Sequence, residues 1–118
     1  MNMPVNHTEM IAALNDRFRS SPVPAEVQGM KVMTRGIAAL DQIARFEVWQ
    51  AVQDFSEFTE DNDPHGEHDF GSFDHPRAGK VFWKIDYYDD EACSYGSEHP
   101  YDPARSYRVL TIMRADEY

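Results

Sequence analysis

Six side chains that can bind a metal ion lie close together in the sequence. They are four carboxylates and two imidazoles within residues 61–69: Asp61, Asp63, His65, Glu67, His68 and Asp69. A loop that leads into a strand can direct several such groups at one divalent cation, and the cation can then activate a water molecule. One interpretation of this segment is therefore a divalent-metal-dependent hydrolase with Asp61, Asp63, His65 and His68 as ligands.

The spacing of these residues matches no established metal motif. Asp61 and Asp63 occupy the first and third positions of a calcium loop, but the twelfth position is Ser72, where a bidentate glutamate is required. The run HGEH also lacks the four-residue spacing of the zinc motif HExxH. The simpler interpretation is a turn in which Asp and Asn side chains accept backbone N–H groups, Pro64 restricts one dihedral angle and Gly66 adopts a positive φ.

The negative charge of the chain is concentrated in its second half. The formal net charge is −10, and all of it falls in residues 54–118, because residues 1–53 have equal numbers of acidic and basic side chains. Residues 54–76 contain eight carboxylates and residues 86–102 contain six, with no Lys or Arg in either stretch. Such a surface repels nucleic acid phosphates and attracts basic protein surfaces, although solubility alone would also explain it.

We therefore expect a binding protein whose partner is a basic protein, in particular one that binds nucleic acid. The predicted contacts are the carboxylates Asp61, Asp63, Glu67, Asp69, Asp89, Asp90 and Glu91. Direct binding of nucleic acid by this chain is not expected, because no basic or basic-aromatic motif is present.

Catalysis by a nucleophile has little support. Cys93 follows Asp89, Asp90 and Glu91, whose charges disfavour a thiolate. The sequence has no GxSxG elbow and no glycine-rich phosphate loop. We therefore expect no enzyme activity and no cofactor, with a divalent metal as the alternative.

Composition predicts one domain over residues 1–118 in the cytoplasm. A chain of 118 residues with 42% hydrophobic residues can bury a core without disulfides, and its single cysteine cannot form an internal one. The N-terminal residues lack the pattern of a secretion signal, and no apolar run approaches the length of a membrane span. We expect no association with a membrane.

Hydrophobic periodicity predicts the elements that position these residues. Asn6 and Glu9 have capping-box spacing before a helix that ends near Ser20, and Asp41 can cap a second helix over residues 42–55. A proline-rich connector and a short strand, residues 30–35, separate the two helices. Alternating patterns then predict strands over residues 68–74, 80–88 and 106–114, with a long loop before the last one.

The predicted fold is α+β, with two helices on one face of a roughly four-stranded, mostly antiparallel sheet in the order α-β-α-β-β-β. In the second helix, Phe46 and Trp49 project away from the apolar stripe. The simpler expectation is that they pack beneath a neighbouring loop, and the alternative is a contact surface such as a homodimer interface.

Three runs of sequence resemble a family of small proteins of unknown function that is common in Alphaproteobacteria and on their plasmids and mobile elements. The runs are DNDPHGEHDFGSF, FWKIDYYD and RVLTIM, and the similarity extends to LNDRFR and VMTRGIAAL. The resemblance covers most of the chain and implies no particular activity, substrate or catalytic residue.

A shorter resemblance bears on function. The segment GEHDFGSF is similar to acidic stretches of antirestriction proteins that mimic DNA. It implies an inhibitor of a nucleic-acid-binding host-defence protein, comparable to anti-CRISPR proteins.

Overall fold

The computed structural model describes residues 6–21 and 27–118, which form an α+β fold around a four-stranded mixed sheet. The elements are α1 (His7–Ser20), β1 (Gly29–Met33), α2 (Arg35–Ala38), α3 (Gln42–Gln53), β2 (Phe70–His75), β3 (Gly79–Tyr88) and β4 (Tyr107–Arg114), followed by a 3-10 turn at Ala115–Glu117. The predicted fold class is confirmed. The predicted connector falls mostly on residues 22–26, outside the described residues.

The strands lie in the order β1-β4-β3-β2. β2 and β3 form the predicted antiparallel hairpin, with Phe70 opposite Lys84. β4 is antiparallel to β3, whereas β1 is parallel to β4, with Lys31 opposite Leu110. The sheet is therefore mostly antiparallel, and β1 and β2 are its edge strands.

Both long helices begin at the predicted caps. Asn6 Oδ1 accepts a hydrogen bond from Glu9 N at 3.2 Å, and Asp41 Oδ1 accepts one from Ala44 N at 2.9 Å. Each bond satisfies a backbone N–H that has no partner within its own helix. The bond from Ala44 also lowers the pKa of Asp41 below its usual value.

The two long helices cover one face of the sheet and form the core with it. The core side chains are Leu14, Phe18, Val27, Ile37, Val48, Val52, Ala78, Val81, Trp83, Ile85, Leu110 and Ile112. Val81, Trp83 and Ile85 alternate along β3 and all point into this core, as their spacing predicted. The opposite face of β3 is mixed, with Phe82, Lys84, Asp86 and Tyr88 partly exposed. No helix in the described part of the chain is long and apolar enough to cross a membrane.

The short helix α2 was not predicted, and the predicted end of β1 differs from the structure because of it. β1 ends at Met33 rather than at Arg35, because Arg35 already begins α2. Ile37 of α2 is fully buried, and Glu117 of the 3-10 turn accepts the N–H of Gly36 at 2.8 Å. A four-residue helix is too short to show a 3.6-residue period, so the sequence carried no signal for it.

The two aromatic residues set apart on α3 have different surroundings. Trp49 packs against the core and lies beneath the ammonium group of Lys31, 5.0 Å from the ring centroid. Phe46 is 64% exposed. The expectation that both pack beneath a loop is therefore wrong for Phe46.

Candidate functional site

The segment between α3 and β2, residues 54–69, contains a turn that its own side chains hold. Asn62 Oδ1 accepts from Thr59 N at 2.8 Å, and Thr59 Oγ1 accepts from Asn62 N at 3.3 Å. Asp63 N donates to Thr59 O at 2.8 Å, and Gly66 adopts a φ of 71°, which its lack of a Cβ permits without strain. This hydrogen bonding is what the turn interpretation predicts.

His68 is held between two carboxylates where this segment approaches β2. Its Nδ1 lies 2.9 Å from Asp16 Oδ1, and its Nε2 lies 3.7 Å from Asp63 Oδ2. The backbone N–H of His68 donates to Asp63 Oδ1 at 3.2 Å, and the ring of Phe58 stacks on the imidazole at a centroid distance of 3.9 Å. Both ring nitrogens therefore face protein carboxylates.

Of the four predicted metal ligands, Asp63 and His68 approach each other, and Asp61 and His65 do not join them in a common site. Asp61 and His65 are exposed, whereas Asp63 is buried and His68 faces Asp16 on α1. Within residues 6–21 and 27–118, no three His, Cys, Asp or Glu side chains are arranged so that they could hold a metal ion. The metal-dependent hydrolase remains a prediction for which this geometry offers no support.

A hydrogen-bonded network fixes Glu67 to the interior. Tyr87 Oη donates to Glu67 Oε1 at 2.9 Å. The side-chain amide of Asn15 donates to Tyr87 Oη at 2.8 Å and to the backbone oxygen of Glu67 at 2.9 Å. Burial raises the pKa of Tyr87, so the phenol stays protonated and donates to the carboxylate.

Arg108 continues the network below Asn15. Its Nε donates to Asn15 Oδ1 at 2.6 Å, and its terminal nitrogens donate to Ser106 Oγ at 2.9 Å and Pro100 O at 2.5 Å. The residue is fully buried, and its guanidinium lies 5.0 Å from the ring centroid of Tyr87. Burial lowers the pKa of Arg108, although a guanidinium stays charged at neutral pH. This side chain links α1, β4 and the loop that precedes β4.

Asp69 lies half-buried beside Glu67 at the start of β2. Burial raises the pKa of Asp69 above its usual value, and the nearby charge of Glu67 adds to the effect. Asp69 O accepts a hydrogen bond from Ile85 N at 2.8 Å, which holds this part of the chain against β3. Of the predicted contact residues, Asp63 is therefore buried and Glu67 and Asp69 are partly buried, so these three present less surface than the exposed carboxylates of the prediction.

The second acidic stretch forms an ordered loop between β3 and β4. Asp89 N donates to Tyr95 O at 2.9 Å, and Ser97 N donates to Tyr87 O at 3.1 Å. Asp90 Oδ1 accepts the N–H of Ala92 at 3.0 Å. The three consecutive carboxylates at the start of this loop are all exposed: Asp89, Asp90 and Glu91.

The part of the first acidic stretch that precedes β2 and the start of the second stretch lie at the same end of the sheet. Glu67 of the first stretch is bonded to Tyr87, and β3 ends at Tyr88, directly before the second stretch. We call this region the acidic end and define it by its exposed carboxylates: Glu60, Asp61, Asp89, Asp90 and Glu91. The structure thus joins two charge clusters that are separated in the sequence by a complete hairpin.

Sequence reasoning did not identify Asn15, Tyr87 and Arg108 as parts of this site. Asn15 directly follows Leu14 on the buried side of α1, and Arg108 alternates with Leu110 on the buried face of β4. The available signal was a polar residue at a position that periodicity assigns to the core. Such a residue indicates a buried hydrogen bond, because a buried polar group requires a partner.

Comparison with known proteins places the chain in a family. The sequence model of a family described as protein of unknown function (DUF3768) matches residues 33–117, which is most of the chain. The chain therefore belongs to this family. No curated protein and no solved structure matches it.

Proposed function

We propose that this member of the DUF3768 family is a non-enzymatic binding protein whose acidic end docks on a basic surface of a nucleic-acid-binding protein. The observation that carries the proposal is that two acidic stretches without Lys or Arg, residues 54–76 and 86–102, each place carboxylates at the same end of the sheet. A concentrated surface charge of one sign steers an oppositely charged partner and raises its association rate by about 10- to 1,000-fold.

The internal hydrogen bonds support this function because they hold the acidic loops in one shape. Glu67 is fixed through Tyr87 and Asn15, and the loop before β4 is fixed through Arg108 and Pro100. A preorganised surface loses less conformational freedom on binding than a flexible one. We assign direct contact to the exposed carboxylates, Asp61, Asp89, Asp90 and Glu91, and a supporting role to the buried ones.

The specific form of the proposal is inhibition of a host-defence protein by DNA mimicry. Exposed carboxylates on a rigid scaffold present negative charges to a site that otherwise binds phosphates. The partner would then be a restriction enzyme or a CRISPR effector in the cytoplasm, and DNA would compete with this chain for it.

Charge reversal with a matched control tests the proposal. Wild-type protein, an Asp89→Lys/Glu91→Lys variant and an Asp74→Lys/Asp116→Lys variant are immobilised and exposed to an extract of the host cells. Both variants have the same net charge, and Asp74 and Asp116 are exposed carboxylates outside the acidic end. We expect the wild type and the Asp74→Lys/Asp116→Lys control to capture nucleic-acid-binding proteins, and we expect salt or added duplex DNA to release them. The Asp89→Lys/Glu91→Lys variant should not capture these proteins.

Equal capture by both variants, or capture that salt and duplex DNA do not affect, would contradict the proposal. For each protein recovered, the association rate with the acidic-end variant should fall by about 10-fold or more relative to the control variant.

A further inference from the structure

An open groove lies between the edge strand β1 and helix α3. Its volume is about 580 Å³. Its lining includes Lys31, Met33, Arg45, Phe46 and Trp49. Phe46 is 64% exposed and Met33 is 36% exposed, so apolar surface is accessible along the groove.

The backbone of β1 can accept another strand. Thr34 N donates to Ile112 O at 3.0 Å, and Gln28 O accepts from Arg108 N at 3.0 Å, so the even-numbered residues direct their polar groups at β4. Backbone groups alternate in direction along a strand, so the odd-numbered residues of β1 direct theirs at the open edge. Among the described residues, no other strand pairs with β1.

The groove lies on the side of β1 that would receive the side chains of an added strand. Lys31 and Met33 have backbone groups at the open edge, and their side chains line the groove. A strand paired with them would place every second side chain over the same face, beside Phe46 and Trp49. Geometry therefore favours an extended peptide over a helix in this position.

The charges of the groove differ from those of the whole protein. Its lining contains Lys31 and Arg45 and no carboxylate, in a chain with a net charge of −10. The guanidinium of Arg45 donates one hydrogen bond, to Ala38 O at 3.3 Å, and forms no ion pair with a described residue. The nearest carboxylates of α3 and its cap, Glu47 and Asp41, are engaged by Arg77. The groove thus complements a peptide that carries negative charge.

We propose that this groove binds an extended segment of a partner protein by adding a strand to β1. A large apolar side chain of the segment lies against Phe46 and Trp49, and carboxylates two residues away lie against Lys31 and Arg45. This binding site is separate from the acidic end and does not depend on the function proposed for it.

Selection from a display library of random ten-residue peptides on the full chain tests this proposal. We expect the enriched peptides to share a large apolar residue with Asp or Glu two positions before or after it. Phe46→Ser and Arg45→Glu should each weaken their binding by about 10-fold or more, the usual effect of losing a central contact. Ile43→Ser is the matched control, because Ile43 is 68% exposed on the same helix and does not line the groove.

Strand addition makes a second, backbone-level prediction. Amide hydrogen exchange at Lys31 and Met33 should slow when an enriched peptide binds, because these N–H groups gain acceptors. Unchanged exchange at both amides with tight binding would exclude strand addition.

Three results would overturn the proposal. They are the absence of enrichment over the unselected library, equal binding of the enriched peptides to Phe46→Ser and wild type, and a wild-type dimer that Phe46→Ser converts to a monomer. The last result would assign the groove to a second copy of this chain.

Two controls accompany the peptide-binding measurements. Variants that retain the wild-type circular dichroism spectrum exclude misfolding as the cause of weaker binding. The Asp89→Lys/Glu91→Lys variant should leave peptide binding intact.

Discussion

The buried guanidinium of Arg108 shows how single residues determine the shape of this site. Its three hydrogen bonds go to neutral oxygens, those of Asn15, Ser106 and Pro100. A buried charge is tolerated when hydrogen bonds replace its hydration, and removal of one acceptor leaves part of the buried guanidinium without a hydrogen bond. The loop before β4 is therefore held by a contact that is costly to break.

Asp69 makes a residue-scale prediction about pH. Because burial raises its pKa in the folded state, the folded protein binds a proton here more tightly than the unfolded chain does. The contribution of Asp69 to stability is therefore favourable at low pH and is lost as the pH rises from about 4, the usual pKa of Asp, through the raised value.

We expect Asp69→Asn to raise the urea midpoint of unfolding at pH 7, with a gain that shrinks as the pH falls through the raised pKa of Asp69 towards about 4. Asp74→Asn, at an exposed position of β2, controls for loss of a carboxylate near this strand. A variant that is no more stable than wild type at pH 7 would show that the ionised carboxylate is well solvated.

At the scale of the elements, the hairpin of β2 and β3 depends on one close approach. Gly71 lies opposite Trp83, and a Cβ on Gly71 would lie 2.4 Å from Trp83 Nε1. The indole is fully buried in the core, so it cannot move aside without disturbing the helices above it.

Gly71→Ala should therefore destabilise the protein by about 1–3 kcal/mol, the usual cost of overpacking a core. Gly96→Ala is the matched control, because the nearest heavy atom to its added Cβ is Tyr87 O at 3.8 Å, an ordinary contact distance. Chemical denaturation followed by tryptophan fluorescence measures both variants. Equal stability of the two would mean that the sheet accommodates a methyl group at Gly71.

At the scale of the whole molecule, the charges are divided between the two ends of the sheet. The acidic end lies where β3 finishes, whereas Arg77 and Lys80 lie at the opposite end, around the turn between β2 and β3. Arg77 is paired there with Asp41 and approaches Glu47 at 3.6 Å. Carboxylates therefore outnumber basic side chains at the acidic end, where Arg105 lines the same surface pocket as Asp89 and offsets only part of their repulsion.

Salt should stabilise this protein. Raising NaCl from about 0.02 M to about 0.3 M shortens the range of repulsion and should raise the thermal midpoint of unfolding. Asp89→Asn/Asp90→Asn should raise the midpoint at low salt and flatten its salt dependence, whereas Asp74→Asn/Asp116→Asn should leave the slope close to that of wild type. A wild-type midpoint that falls with added salt would contradict this charge distribution.

The sequence by itself determined the elements that depend on neighbours along the chain. The caps at Asn6 and Asp41, the alternation along β3 and the positive φ of Gly66 were all predicted, because each follows from the properties of residues a few positions apart. The concentration of charge in residues 54–118 is likewise a property of composition.

Only the tertiary structure decided which polar residues face solvent and which form hydrogen bonds in the interior. Asn15 and Arg108 are 93 positions apart in the sequence and 2.6 Å apart at their bonded atoms. The parallel pairing of β1 with β4, which leaves β1 at an edge beside α3, also joins distant segments. Such contacts depend on how the helices and the sheet pack, and local periodicity contains no information about that arrangement.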